Sequence, residues 1–157
     1  MMATMRRWVV LLVGLIAVWP SMAQESVNQL VDAVAAGRPD EVRALLVQGV
    51  DVNATNAAGR PLLVVAGFNG NRRTALVLLA AGADVDAVDS AGTSALMAAS
   101  AFGHKDLVDI LVVAGADVNL KDADGRSALA RATLGRHAAV IETLKTAGAV
   151  EDSGGTP

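Results

Sequence analysis

Glycines recur at a fixed step of about 33 residues in three separate series, and this period constrains the fold more than any other feature of the chain. The first series opens each unit, at Gly59, Gly92 and Gly125. The second series lies in the middle of the units, at Gly37, Gly70 and Gly103. The third closes them, at Gly49, Gly82 and Gly115, with a decayed copy at Gly148. One period held in three registers predicts a stack of equal supersecondary units.

Apolar residues follow helical spacing twice within each unit. In residues 89–121 they are Leu96 and Ala99, and then Leu107, Val108, Leu111 and Val112. In the preceding unit they are Leu63 and Ala66, and then Leu76, Leu78 and Leu79. We therefore predict an all-α solenoid of stacked helix–turn–helix units joined by β-turn loops. Its four units span about residues 24–55, 56–88, 89–121 and 122–150.

The two end units depart from the pattern, as terminal units of a solenoid do. Ser26 stands where the first unit lacks its opening glycine, which predicts an incomplete turn, and Pro39 fits the first turn of the second helix. In the last unit Arg136 occupies the position of the middle glycine and Gly135 precedes it, so this glycine has shifted by one residue. Residues 151–157 are polar and glycine-rich, which predicts a disordered tail.

Residues 1–23 have the pattern of a secretory signal peptide. A basic start at Arg6 and Arg7 precedes an apolar run from Trp8 to Trp19, and Ser21 and Ala23 are the small residues of a cleavage site. An uncleaved anchor is the alternative, but this run is well short of the roughly 20 residues that span a bilayer. We expect cleavage after Ala23, with a periplasmic or secreted product that has no stable membrane anchor.

Composition excludes several classes of site and partner. The chain has no cysteine, so disulfides, thiolate metal sites and a cysteine nucleophile are all excluded. Its formal net charge is -3, and loss of Arg6 and Arg7 would make it more negative. Because nucleic-acid binding depends on clustered Lys and Arg, we expect no nucleic-acid partner.

Several short motifs give the repeating unit a family resemblance. They are D-x-x-G at residues 89–92 and 122–125, Gly103-His104, and G-A-D-V-N at residues 115–119. On these residues the chain resembles the ankyrin-repeat family, whose unit is a β-turn followed by two helices. The family's T-P-L-H signature is replaced, for example by S-A-L-M at residues 94–97, although Ser94 and Ser127 can still cap a helix. With its leader, the chain is similar to exported bacterial ankyrin-repeat proteins.

The resemblance implies a non-enzymatic module that binds another protein through a preorganised concave surface. In the bacterial cell envelope it implies stress protection, or an inhibitor or immunity role towards a neighbouring enzyme or toxin. A small-ligand or metal carrier and an enzyme accessory subunit are the alternatives. We predict neither a cofactor nor a catalytic site, because no nucleophile, base and orienting group recur together and no phosphate or dinucleotide motif is present.

The family's functional surface consists of the turn tips and the exposed side of the first helices. In this chain the resemblance implies a partner-binding surface made of Arg60, Phe68, Asn69, Thr93, Phe102, Asp124, Arg126 and Arg131. The two phenylalanines have two interpretations. They are either core residues that pack against each other and the neighbouring helix, or aromatic anchors for a partner.

Two features resemble metal ligands, and neither predicts a metal site. His104 and His137 are separated by one repeat period and so belong to adjacent units. Because neighbouring helices are about 8–10 Å apart and zinc ligands lie about 2 Å from the metal, they are expected to start helices instead. The run from Asp122 to Gly125 is similar to part of a calcium loop, but Leu120 and Arg131 occupy the loop's first and last ligand positions.

Overall fold

The computed structural model describes residues 22–151, which form eight α-helices in four consecutive pairs. Helix α1 covers residues 22–35, and the others are α2 (Pro39–Val47), α3 (Leu62–Asn69), α4 (Arg72–Ala80), α5 (Ala95–Ala101), α6 (Lys105–Val113), α7 (Ala128–Leu134) and α8 (Ala138–Thr146). Successive pairs pack on one another in chain order. The predicted all-α solenoid is confirmed. Most of the predicted signal peptide, residues 1–21, and the tail from residue 152 lie outside the described residues.

The first helices of successive pairs, α3, α5 and α7, form one tightly packed layer. Small side chains make this approach possible. A Cβ atom built on Gly67 of α3 would lie 2.7 Å from the backbone oxygen of Ala95 in α5, closer than real Cβ atoms come to such a group. The layer therefore buries helix surface on several sides at once, from Leu62 to Gly67 in α3 and from Ala95 to Ser100 in α5.

The second helices, α2, α4, α6 and α8, form a looser layer that is buried on one side only. In α6 the buried residues are Leu107, Val108 and Leu111, as their helical spacing predicts. The prediction for α4 was wrong in one place, because Leu76 is exposed while Leu78 is buried. Leu76 has the register of Asp109 in the next unit, on the solvent side of the helix. The apolar side chain of Leu76 therefore lies on the surface and is not part of the core.

Each opening turn is organised by an Asn or Asp at the same register position, Asn56, Asp89 or Asp122. The Oδ1 atom of each accepts backbone N–H groups two and four residues further on, at 2.9–3.0 Å. The residue types were recognised as turn formers because short polar side chains bond to their own backbone in this way. In the two aspartates the Oδ2 atom is then left to receive a guanidinium group.

The G-x-D-V segments join one unit to the next through side chains. Asn53 Oδ1 accepts the backbone N–H of Asp84 at 2.9 Å, and Asp86 Oδ1 accepts that of Asp117 at 2.8 Å. Asn119 Oδ1 accepts the N–H of Val150 at 2.8 Å. The recurrence of this Asn or Asp at the end of the motif therefore has a structural cause, since it satisfies a backbone donor of the following unit.

A second series of contacts between units starts from the residues before the second helices. Nδ2 of Asn71 donates to the backbone oxygen of Val34 at 2.9 Å. The Nε2 atoms of His104 and His137 bond to the oxygens of Phe68 and Ala101, at 3.3 and 3.0 Å. Both histidines directly precede a helix, as predicted, but neither side chain caps it. Their rings instead tie each unit to the one before it.

The helix starts agree with the sequence except in the first unit. Pro39 is the first residue of α2. Ser94 and Ser127 cap α5 and α7, accepting the N–H groups of Met97 at 3.3 Å and of Ala130 at 3.2 Å. The incomplete turn predicted at Ser26 was wrong, because Ser26 lies within α1 and its hydroxyl donates to the oxygen of Met22.

The break between α7 and α8 keeps its register without glycine. Arg136 adopts a positive φ of 56°, close to the 67–72° of Gly37, Gly70 and Gly103 at the equivalent positions. Gly135 has an ordinary negative φ of -76°. The glycine has therefore shifted by one residue while the break has not, and the stacking of the units holds Arg136 in a conformation that L-residues adopt at a cost.

Candidate protein-interaction surface

Four of the eight predicted surface residues form an aromatic group around the C-terminal ends of α3 and α5. The rings of Phe68 and Phe102 meet edge to face, with centroids 5.9 Å apart. The guanidinium carbon of Arg60 lies 4.4 Å from the centroid of the Phe68 ring, within cation–π range. Asn69 is exposed beside them, and its Nδ2 atom donates to the oxygen of Ala35 at 3.3 Å.

The two phenylalanines combine features of both interpretations. They contact each other, as the core interpretation required, and Phe68 is partly buried against the core. Phe102 is 57% exposed, so it is not a core residue. The imidazole of His104 also stacks against the Phe102 ring, at a centroid distance of 6.2 Å. Phe102 is thus an exposed aromatic ring positioned by two ring neighbours.

The other four predicted residues gather around Asp122, which the sequence analysis treated only as a turn residue. Its buried carboxylate accepts from Nη2 of Arg131 at 2.7 Å and from Nε of Arg126 at 3.3 Å. Arg126 also pairs with the exposed Asp124. Nη2 of Arg131 donates further to Oγ1 of Thr93, at 3.1 Å. One buried carboxylate therefore orients two arginines.

Thr93 is buried, and this corrects its place on the predicted surface. Its hydroxyl accepts the Arg131 hydrogen bond, so its contribution is to hold that arginine between two units. The Arg131 side chain is itself largely buried, whereas Arg126 and Asp124 reach solvent. Of this group, only Arg126 and Asp124 present much charge to a partner.

The carboxylates of Asp122 and Asp89, which pair with these arginines, are stabilised in their ionised form. Burial would raise the pKa of Asp122, but the backbone N–H of Arg126 and the guanidinium of Arg131 together hold it below its usual value. Burial likewise acts to raise the pKa of Asp89, and the N–H groups of Thr93 and Ala91 with the Arg60 guanidinium bring it below its usual value. Both carboxylates therefore stay charged and keep their arginines in place.

Register connects the aromatic and ionic groups into one surface. Arg60, Thr93 and Arg126 follow one another at the repeat period and so occupy one row along the solenoid. Arg60 reaches the next unit, where its Nε lies 3.2 Å from Oδ2 of Asp89. The two ends of this row are arginines, Arg60 and Arg126. The exposed Phe102 lies at the C-terminal end of α5, in the same unit as Thr93.

Two residues of this surface escaped the sequence analysis. Leu134 is 73% exposed at the end of α7 and has the register of Phe68 two units earlier, a signal that the repeat period contains. His104 was interpreted only as a helix-start residue, yet its ring supports Phe102. The stacking could not be read from spacing, because the two residues belong to no shared helix face.

Residues 22–151 contain no group of three His, Asp or Glu side chains that could hold a metal ion. The run at Asp122 is instead an ionic turn, whose carboxylate is occupied by arginines. Within the same residues, no helix combines the length and the apolarity that crossing a bilayer requires.

Comparison with known proteins agrees with this architecture. A family model described as ankyrin repeats (three copies) matches residues 30–122 and, in a second match, residues 62–154. No curated protein matches the chain significantly. Repeats of this family generally serve as non-enzymatic scaffolds that bind other proteins. The matched residues cover most of the chain, and the helix pairs follow the same order, so this protein belongs to the ankyrin-repeat family.

Proposed function

We propose that this protein works in the bacterial cell envelope, where it binds another protein through the surface formed by Arg60, Phe68, Phe102, Asp124 and Arg126. The observation that carries this proposal is Phe102, which is 57% exposed and yet contacts the rings of both Phe68 and His104. A large apolar ring in water is unfavourable for an isolated protein and becomes favourable when a partner covers it.

The surface is well suited to binding because its side chains are already ordered. Phe68 holds Phe102, Asp122 holds Arg126, and Asp89 holds Arg60. Ordering a long side chain on binding costs about 0.5–1.5 kcal/mol, and here the fold has met part of that cost in advance. An aromatic pair with Arg60 over one ring, and Arg126 further along the same row, fits a partner that presents an apolar residue with carboxylates beside it.

The location in the envelope rests on the leader pattern of residues 1–23. The described part of the chain is compatible with cleavage after Ala23, because Met22, Ala23 and Gln24 are all exposed in the first turn of α1. Among residues 22–151 the first buried side chain is Leu30, so the described core includes no residue of the leader. Cell fractionation followed by N-terminal sequencing tests this part, and the expected mature N-terminus is Gln24.

Affinity capture from a periplasmic extract tests the binding surface. The purified protein is expected to retain a stoichiometric protein partner, and Phe102→Ala is expected to weaken retention at least tenfold, as a central aromatic anchor does. Val150→Ala is the matched control, since Val150 is also exposed and apolar but lies after the last helix. Equal retention by wild type and Phe102→Ala would reject this surface.

The partner's own activity then assigns the role. An enzyme or toxin that loses activity when this protein is added, but keeps it with Phe102→Ala, places the protein among inhibitors or immunity proteins. A partner that is protected from heat or oxidative inactivation, without inhibition, places it in stress protection. The same two protein samples serve both assays.

A further inference from the structure

The second helices present a continuous exposed face on the other side of the molecule, and we call it the outer face. Its rows are residues 40, 73, 106 and 139; residues 43, 76, 109 and 142; and residues 47, 80, 113 and 146. Val47 is 83% exposed, Leu76 42% and Val113 88%. Leu76 and Ala80 line the grooves on both sides of α4, and Val113 lines those on both sides of α6. The apolar grooves therefore merge across all four helices.

Charge is distributed unevenly along the outer face. The half made by α2 and α4 carries Arg43 and Arg73, with Asp40 as its acidic residue. The half made by α6 and α8 carries the carboxylates Asp106, Asp109 and Glu142, with Lys105 as its basic residue on that face. Arg73 has no ion-pair partner among residues 22–151. The groove between the two halves is the most apolar part of the face, and its lining includes Leu76, Ile110 and Val113 with Asp109 as the charged residue.

We propose that the outer face binds a second copy of this chain, through a two-fold axis that runs parallel to the helices between α4 and α6. This operation places α4 against α6 of the other copy and α2 against its α8. Each row of residues then faces the same row of the other copy. Arg73 then lies opposite Asp106, Arg43 opposite Glu142, and Ala80 opposite Val113 in each half. The apolar groove, with Asp109 at its edge, falls at the centre, and the Arg73–Asp106 and Arg43–Glu142 pairs lie around it.

The other two-fold axis in the same plane is disfavoured by the same residues. An axis along the stacking direction would place each helix against its own copy, so that Arg43 faces Arg43, Asp109 faces Asp109 and Glu142 faces Glu142. Like charges placed directly opposite one another are destabilising. In the favoured arrangement Leu76 faces Asp109, whose carboxylate is already bonded to Lys105 at 2.7 Å and to Thr143 at 3.3 Å.

The size of the face sets the strength of the dimer. A nine-residue helix is about 13 Å long, and four helices about 8–10 Å apart span roughly 35 Å. The face therefore covers on the order of 450 Å² in each copy, about half of what a standard interface uses. Interfaces of this size belong to the weak, transient class, so we expect a reversible dimer.

Analytical ultracentrifugation of the purified protein, from about 10 μM to about 1 mM, tests the proposal over the concentrations at which weak dimers form. Arg73→Glu and Asp106→Arg are each expected to weaken the dimer about tenfold, because symmetry makes every substitution act twice. The double variant Arg73→Glu/Asp106→Arg restores the pair in reverse and is expected to return within about threefold of wild type. Wild type that stays monomeric throughout this range would overturn the proposal.

Matched controls separate this interface from other routes to association. Val113→Asp is expected to abolish the dimer, whereas Leu134→Asp, at an equally exposed apolar residue of α7, is expected to leave it unchanged. Glu25→Lys reverses an exposed charge on α1 and is likewise expected to have no effect. A dimer that survives the single reversals, or that the double variant fails to restore, also overturns the proposal. Circular dichroism of each variant verifies that it is folded.

Discussion

In the first-helix layer α3 buries six of its eight residues, whereas in the second-helix layer α4 buries three of its nine. The difference follows from side-chain size. Gly67 and the alanines of α5 let backbones approach closely, while Leu78 and Leu111 fill the wider space beneath the second helices. The first-helix layer is thus specified by small side chains, and the second-helix layer by large side chains on one side of each helix. Four substitutions test this contrast, and they follow in order of expected effect.

The largest effect is expected on the inner side of the second-helix layer. Leu111→Ala removes a fully buried side chain and should lower the free energy of unfolding by about 2–5 kcal/mol. Val113→Ala, two residues further along the same helix but exposed, should change it by less than about 0.5 kcal/mol. Urea denaturation measures both. Similar losses for the two variants would contradict the one-sided burial of this layer.

Added volume should be penalised in the first-helix layer only. Gly67→Ala improves helix propensity by up to about 1 kcal/mol, yet its Cβ meets the backbone of Ala95, and we expect a net loss of about 1–2 kcal/mol. Ala80→Val adds volume to an exposed position of α4 and should be close to neutral. Thermal unfolding followed by circular dichroism compares them. A stabilised Gly67→Ala variant would show that the first helices separate easily.

A gain in stability is expected at Thr74, a polar residue of the second-helix layer. Thr74 has the register of Leu107, and its buried hydroxyl has no hydrogen-bond partner among residues 22–151. Thr74→Val removes that hydroxyl while keeping the shape, which should raise the free energy of unfolding by about 1 kcal/mol. Thr133→Val is the control, because Thr133 is exposed and its hydroxyl already donates to Leu129 at 2.8 Å. A gain restricted to Thr74 in urea denaturation supports this explanation.

The smallest effect is expected in the pH dependence of stability, through the turn around Asp122 beside the first helices. The pKa of Asp122 is lowered in the folded protein, so its contribution to stability is complete above the unfolded pKa of about 3.9 and is lost as pH falls through the folded pKa. Asp122→Asn has no such proton to bind, so its stability should fall less steeply below about pH 4. Urea midpoints measured between neutral pH and about pH 2.5 give the two slopes, and parallel curves would contradict the assignment.

The fold was predictable because the repeat period imposes the same physical requirements several times along the chain. The error at Leu76 arose because helical spacing was read within one unit. Comparison with its register partners Arg43, Asp109 and Glu142 would have placed it in solvent. At Arg136 the sequence shows only a displaced glycine, and it does not show that the positive φ stays at the repeat position, where stacking imposes it.

The candidate surface was less predictable, since its contacts join residues of different units. The spacing between Phe102 and His104 does not reveal that one ring stacks on the other. The burial of Thr93 depends on Arg131, which belongs to the following unit. The choice of these residues as a partner-binding surface stays a prediction, and the capture experiment with Phe102→Ala addresses it.

The left-handed backbone at Arg136 determines whether another unit could be added at this end. At Gly70 and Gly103 a Cβ atom would lie 2.5–2.7 Å from the imidazole of the next unit, so glycine is what leaves room for that ring. Arg136 has a side chain at this point. A further unit that docked by the same histidine contact would collide with it. Anyone adding a unit that docks by this contact would therefore first have to restore glycine at position 136.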